Sequence, residues 1–168
     1  TFRNRVERRV MFHAHGDNEQ AERDSLFARA ILAEIPGLEV IDASGGAEWG
    51  HDCGGLQIGL IGPEKHAALV DNQFKAAKRE GVDAVATMYH SCYRNLCPQE
   101  AVHGVEVIHY TDLVAEALGL PMRDEPYKRL HIAADPAAAF HELVPTAQAR
   151  GLKPDRLRKT LDLHFGAN

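Results

Sequence analysis

Residues 10–41 read VMFHAHGDNEQAERDSLFARAILAEIPGLEVI, and this stretch decides the fold. Val10-Met11-Phe12-His13-Ala14 is a short run rich in strand formers, and His15-Gly16-Asp17-Asn18 behind it is a turn cluster. Over residues 21–35, Leu26, Phe27, Ala30, Ile31 and Ile35 recur at helical spacing, which predicts an amphipathic helix with those side chains facing the core. Pro36-Gly37 stops the helix, and Leu38-Glu39-Val40-Ile41 enters a second strand directly. A strand, a helix and a strand with connections this short form a crossover unit between parallel strands.

The same rhythm continues downstream. Residues 43–62 form a long glycine-rich loop, and loops of that length in compact domains usually carry function. A helix over 63–80 starts at Pro63 and stops at Gly81. A third strand follows over 82–88, then a loop over 89–98 and a fourth strand over 105–110. Thr111-Asp112 caps a helix that Gly119 closes. The expected fold is α/β and Rossmann-like: a four-stranded, mainly parallel sheet with helices on both faces. Its domain spans residues 1–120, with the arginine-rich residues 1–9 read as a solvated lead-in. Residues 121–168 begin with a charged linker over 121–129. They then read as a helical C-terminal extension, with helices opening at Asp135-Pro136 and Pro154-Asp155.

Composition narrows the function. A formal net charge of −5 over 168 residues argues against a nucleic-acid partner, since phosphate neutralisation needs clustered Lys and Arg. No apolar run approaches the length of a membrane span, and no signal peptide is visible, so a cytoplasmic protein is expected. Three cysteines cannot build a disulfide framework, whereas ten histidines are many for this length.

In a parallel sheet, sites form where the loops leave the carboxyl ends of the strands. Those loops hold His13, His15, Cys53, Tyr89, His90, Cys92 and Cys97. Thiolates bind zinc or iron–sulfur clusters, and imidazole from His13, His15, His51 or His90 can complete the shell. Gly54 and Gly55 let the backbone approach a bound group closely. A cysteine is equally at home as a small buried hydrophobe, a reading that weighs most on Cys97. His13 and His15 flank a strand end, where capping competes with ligation. His109 ends the fourth strand, where a local hydrogen bond is its simplest role. His66, His103, His131, His141 and His164 fall on helices or connections away from this edge and read as surface or packing residues.

Taken in order, Phe12-His13-Ala14-His15-Gly16, residues 35–40, Asp52-Cys53-Gly54-Gly55, residues 88–96 and residues 107–113 resemble the cysteine-rich CCG domain. That domain occurs, usually twice, in the cysteine-rich subunit of heterodisulfide reductase, the glycolate oxidase iron–sulfur subunit and related redox subunits. The resemblance covers residues 10–120 and is closest to the second copy. It implies that Cys53 matches the second cysteine of Cys-Cys-Gly and Cys92 the second of Cys-x-x-Cys, with Tyr89 at the first position of the latter. Asp52 replaces the other Cys-Cys-Gly cysteine, and the early cysteine falls at Gly16, or at His15 with a one-residue slip. Three of the family's five ligand positions have therefore changed, and a cluster held by five thiolates cannot form.

The resemblance implies a component of a redox complex, partnered by other subunits or by itself. Cys53 and Cys92 would be its chemically active residues. An iron–sulfur cluster or zinc would be held by Cys53, Cys92, His15, His13, Asp52, His90 or Cys97, against Gly54, Gly55 and Tyr89. Two other readings stand beside it: a cofactor-free scaffold with a relic site, and a zinc- or cysteine-dependent enzyme on the same edge.

Overall fold

A computed structural model describes residues 2–14, 18–42, 55–122 and 126–165. The chain divides into two compact units, Thr1–Arg123 and Asp124–Asn168.

The first unit is built on strands β1 (Arg9–His13), β2 (Glu39–Asp42), β3 (Ala84–Thr87) and β4 (Glu106–His109). They form one sheet in the order β2-β1-β3-β4, and every pairing in it is parallel. Between them lie α1 (Glu19–Ala33), α2 (Gly55–Ile61), α3 (Pro63–Arg79), α4 (His90–Leu96) and α5 (Gln99–His103), with α6 (Tyr110–Leu118) after β4. Alternate strand residues feed two core layers, as the two-residue period of a strand requires. Met11, Val85 and Val107 pack with Phe74, Ala77, Cys92 and Leu96 of α3 and α4. Val10, Phe12, Ala84, Ala86 and Ile108 pack with Ala28, Leu32, Leu113 and Ala117 of α1 and α6. Helices therefore cover both faces of an all-parallel sheet.

Several local expectations change. Asn18 caps α1, its side-chain oxygen accepting from the Ala21 amide at 3.0 Å. The helix buries Ala21, Ser25, Ala28 and Leu32 and turns Leu26 and Phe27 outward, 67% and 69% exposed. Of the stripe expected to face the core, Ile35 is buried, whereas Leu26, Phe27 and Ile31 are exposed. The segment over 89–98 is not a loop: α4 occupies most of it. Part of the glycine-rich stretch is also helical, since α2 begins at Gly55. The lead-in is tied down as well. The Arg3 and Asn4 amides donate to the Ala117 carbonyl, the Val6 amide donates to the Pro36 carbonyl, and Val6 is fully buried. Gly37 serves that contact. Its φ is +87°, and a Cβ there would stand 3.1 Å from Glu7 Cδ and 3.2 Å from the Val6 carbonyl.

The second unit contains α7 (Pro126–Ala133), α8 (Pro136–Ala149) and α9 (Pro154–Phe165). The stretch read as a charged linker thus ends in a helix. Asp135 caps α8, accepting from the Ala137 and Ala138 amides at 2.9 and 3.0 Å. A small core of Leu130, Ala139, Leu157 and Leu161 holds the three helices together. Among the described residues no helix is long and apolar enough to cross a membrane.

Candidate functional site

The strand order places a switch point between β1 and β3, because the chain leaves β1 toward β2 on one side and returns to β3 on the other. Crevices outside the carboxyl ends of such strands are where ligands of open parallel sheets bind. The last residues of three neighbouring strands are in register there: His13 pairs with Thr87, and Thr87 with His109. In-register residues of parallel strands point to one face, so His13, Thr87 and His109 form a row on the side covered by α3 and α4. Adjacent members stand about one strand spacing apart, roughly 4.8 Å.

His13 is 3% exposed. Its Nδ1 meets the side-chain amide of Gln73 on α3, with Gln73 Nε2 at 2.9 Å and Oε1 at 3.2 Å. Its Nε2 is buried without a hydrogen-bond partner among the described residues. The nearer amide atom is Nε2, so Gln73 donates to Nδ1 and the ring proton sits on Nε2; turning the amide over moves the proton to Nδ1 and leaves the Nε2 lone pair bare. In that second arrangement the outer-shell hydrogen bond holds the imidazole in the tautomer a ligand needs. An unsatisfied buried nitrogen costs about 1–3 kcal/mol, so the site favours an occupant.

Further along the row, Thr87 Oγ1 donates to the Ile108 carbonyl at 3.3 Å. His109 caps α6, its Nδ1 accepting from the Thr111 amide at 3.4 Å and lying 2.7 Å from Thr111 Oγ1. The neutral ring then carries its proton on Nε2. His90, at the first turn of α4, stacks on His109 with ring centroids 4.8 Å apart and planes 16° apart, and Tyr93 meets His109 edge-on. Beside them opens a cleft of about 350 Å³ lined by Asp24, Phe27 and Ile31 of α1, by Met88, Tyr89 and His90, and by His109 and Tyr110. The Tyr89 hydroxyl donates to Asp24 Oδ2 at 2.8 Å within it. Apolar walls with a few convergent polar groups are the usual make-up of a small-molecule pocket.

The two described cysteines are reduced and fully buried. Cys92 lies on the inner side of α4 against the β3–β4 half of the sheet, in a core layer with Phe74, Val85, Leu96 and Val107. Cys97 sits in the same layer, and its thiol donates to the Arg94 carbonyl at 3.6 Å. Of the other expected site residues, His13, Tyr89 and His90 fall on this edge, and Gly55 opens α2. His15, Asp52, Cys53 and Gly54 lie outside the described residues, as does the expected meeting of Cys53 with Cys92. Among the described residues no group of three His, Cys, Asp or Glu side chains is placed to hold a metal ion.

Gln73 and Asp24 acquire roles that sequence reading did not give them, and His109 joins the row as well as capping its helix. The signal for Gln73 was present: it is a polar residue on the inward stripe of α3, next to Phe74, Ala76 and Ala77. Comparison with protein-family models, curated proteins and solved structures finds no match for this chain.

Proposed function

We propose that the carboxyl edge of the sheet is a Cys/His metal centre, and that the protein is a redox-complex component of the heterodisulfide-reductase-like type. The observation that carries this reading is His13, held by Gln73 through Nδ1 and left with a buried Nε2 that has no hydrogen-bond partner among the described residues, beside the switch point. Cys92 comes to the same face of the sheet on the helix that follows β3. The remaining ligands come from residues 15–17 and 43–54, which follow β1 and β2 in the chain and include His15, Asp52 and Cys53. A mixed sulfur, nitrogen and oxygen set of this kind suits zinc or an iron–sulfur cluster with partial histidine ligation. Bound there, a cluster would supply one-electron transfer, and zinc would hold its cysteines as thiolates. The chain's own part is to orient the imidazole through Gln73 and to keep water from Cys92 by burying it.

Anaerobic purification followed by iron and zinc analysis and a visible spectrum tests the proposal. In a His131→Ala background, which removes a separate histidine pair of the C-terminal unit, the protein should carry stoichiometric iron or zinc that is lost in Cys53→Ser and reduced in His13→Ala. Wild-type protein free of both metals would overturn it.

A second reading, a cofactor-free interaction module, is favoured by one observation. Leu26, Phe27 and Ile31 present an exposed apolar face on α1 that runs into the cleft. Metal-free wild-type protein that self-associates through this face would establish it in place of the first.

A further inference from the structure

The C-terminal unit contains a histidine pair that the sheet-edge centre does not use. His131 stands on α7 and His164 on α9, and His164 Nε2 lies 3.3 Å from His131 Nδ1. The rings are tilted by 40°, with centroids 5.2 Å apart. Tyr127 stacks on His131 at 17°, and Phe165 meets His164 edge-on at 4.8 Å. We propose that His131 and His164 form a binding site for zinc or a similar divalent transition metal, which clips α7 to α9 within the C-terminal unit.

Three features carry the proposal. The first is distance. Two imidazole nitrogens bound at 2.0–2.1 Å to a tetrahedral zinc stand about 3.3 Å apart, whereas cis positions of an octahedral ion would place them nearer 2.9 Å. The observed separation is the tetrahedral edge, and it is long for a hydrogen bond between two rings. The second is reach. Both nitrogens are at an exposed position, so small side-chain rotations bring the two lone pairs to a common point without moving either helix. The third is need. The unit's core is four buried side chains, and units this short are commonly stapled by a metal or a disulfide. With neutral rings, one of the two facing nitrogens carries the proton they share. On metal binding that proton moves to the other nitrogen of its ring, so both facing lone pairs are donated and no proton leaves the protein. Water fills the remaining positions of the ion.

The test is calorimetric titration of zinc chloride into the full-length chain after chelator treatment, in a Cys53→Ser/Cys92→Ser background. There the sheet-edge centre has lost Cys53 and Cys92, and any zinc its remaining ligands hold is told apart by its indifference to His131→Ala and His164→Ala. One zinc should bind in the micromolar range or tighter. Affinity should fall at least tenfold in His131→Ala and in His164→Ala, and stay unchanged in His141→Ala. Unchanged affinity in either of the first two variants, or binding that needs millimolar zinc, would overturn the proposal. Should the cysteine variants fail to fold, imidazole NMR of the unmodified chain gives the same decision. Zinc should shift the His131 and His164 ring resonances together, and their silence at saturating zinc would refute the site.

Discussion

Replacing Gln73 by Met exposes how tightly the His13 imidazole depends on one partner. The amide is the hydrogen-bond partner of Nδ1, while Nε2 already has none among the described residues, and both residues are 3% exposed. Gln73→Met keeps the volume but leaves the buried ring without a bond at either nitrogen, so the metal-stripped protein should lose about 1–3 kcal/mol. His13→Leu alone strands the Gln73 amide at similar cost, but it also removes the orphaned Nε2, so its net loss should be smaller. The double variant leaves no unpaired polar atom and should recover most of the loss, a coupling of about 1–3 kcal/mol in a double-mutant cycle. Equilibrium urea unfolding in the presence of a chelator reads all four proteins. In the metal-loaded state the order reverses for His13→Leu, which deletes a ligand and should forfeit the metal's contribution to stability. Strictly additive losses in the stripped protein would refute the pairing and the argument built on it.

Other expectations follow from the same physics. Leu32→Ala, at a fully buried position on the inward face of α1, should cost about 2–5 kcal/mol in urea unfolding. Phe27→Lys, at an exposed position, should change stability by less than about 0.5 kcal/mol while weakening any self-association seen by sedimentation. Asp135→Ala removes the cap of α8 and should cost about 0.5–2 kcal/mol, read as lost helicity in the C-terminal unit. Glu142 accepts two hydrogen bonds from Arg129, at 2.8 and 2.5 Å, which hold its carboxyl below the ordinary value. A depressed folded-state value means the link is present at neutral pH and is lost as pH falls through the carboxylate range. NMR titration should show the Glu142 midpoint moving up in Arg129→Gln.

The sheet was legible because its signal is redundant. Each strand is a short apolar run, with Gly37, Gly81 and Gly104 leading into the second, third and fourth, and the alternation of strands and helices admits few topologies. The side of α1 was not legible. Leu26, Phe27 and Ile31 form as good a periodic stripe as Ala21, Ser25, Ala28 and Leu32, and periodicity does not choose between them; in the fold Ala28 and Leu32 pack with the sheet residues. The chain over 89–98 looked like a loop because His90, Ser91 and Asn95 are weak helix formers. Packing of Cys92, Tyr93 and Leu96 against the sheet overrides that preference. His13 was legible as a site residue from its position at a strand end. Gln73 could be marked as a polar residue on the inward stripe of α3, but its pairing with His13 could not, because the two are 60 residues apart and only the folded sheet brings α3 over β1.

The most direct measurement is X-ray absorption at the iron or zinc edge on anaerobically purified protein, in a His131→Ala background that removes the C-terminal histidine pair. The account predicts a mixed shell, with sulfur near about 2.3 Å and imidazole nitrogen near about 2.0–2.1 Å. The nitrogen component should diminish in His13→Ala and the sulfur component in Cys92→Ser. A shell unchanged by His13→Ala, or the absence of any bound metal, would contradict it.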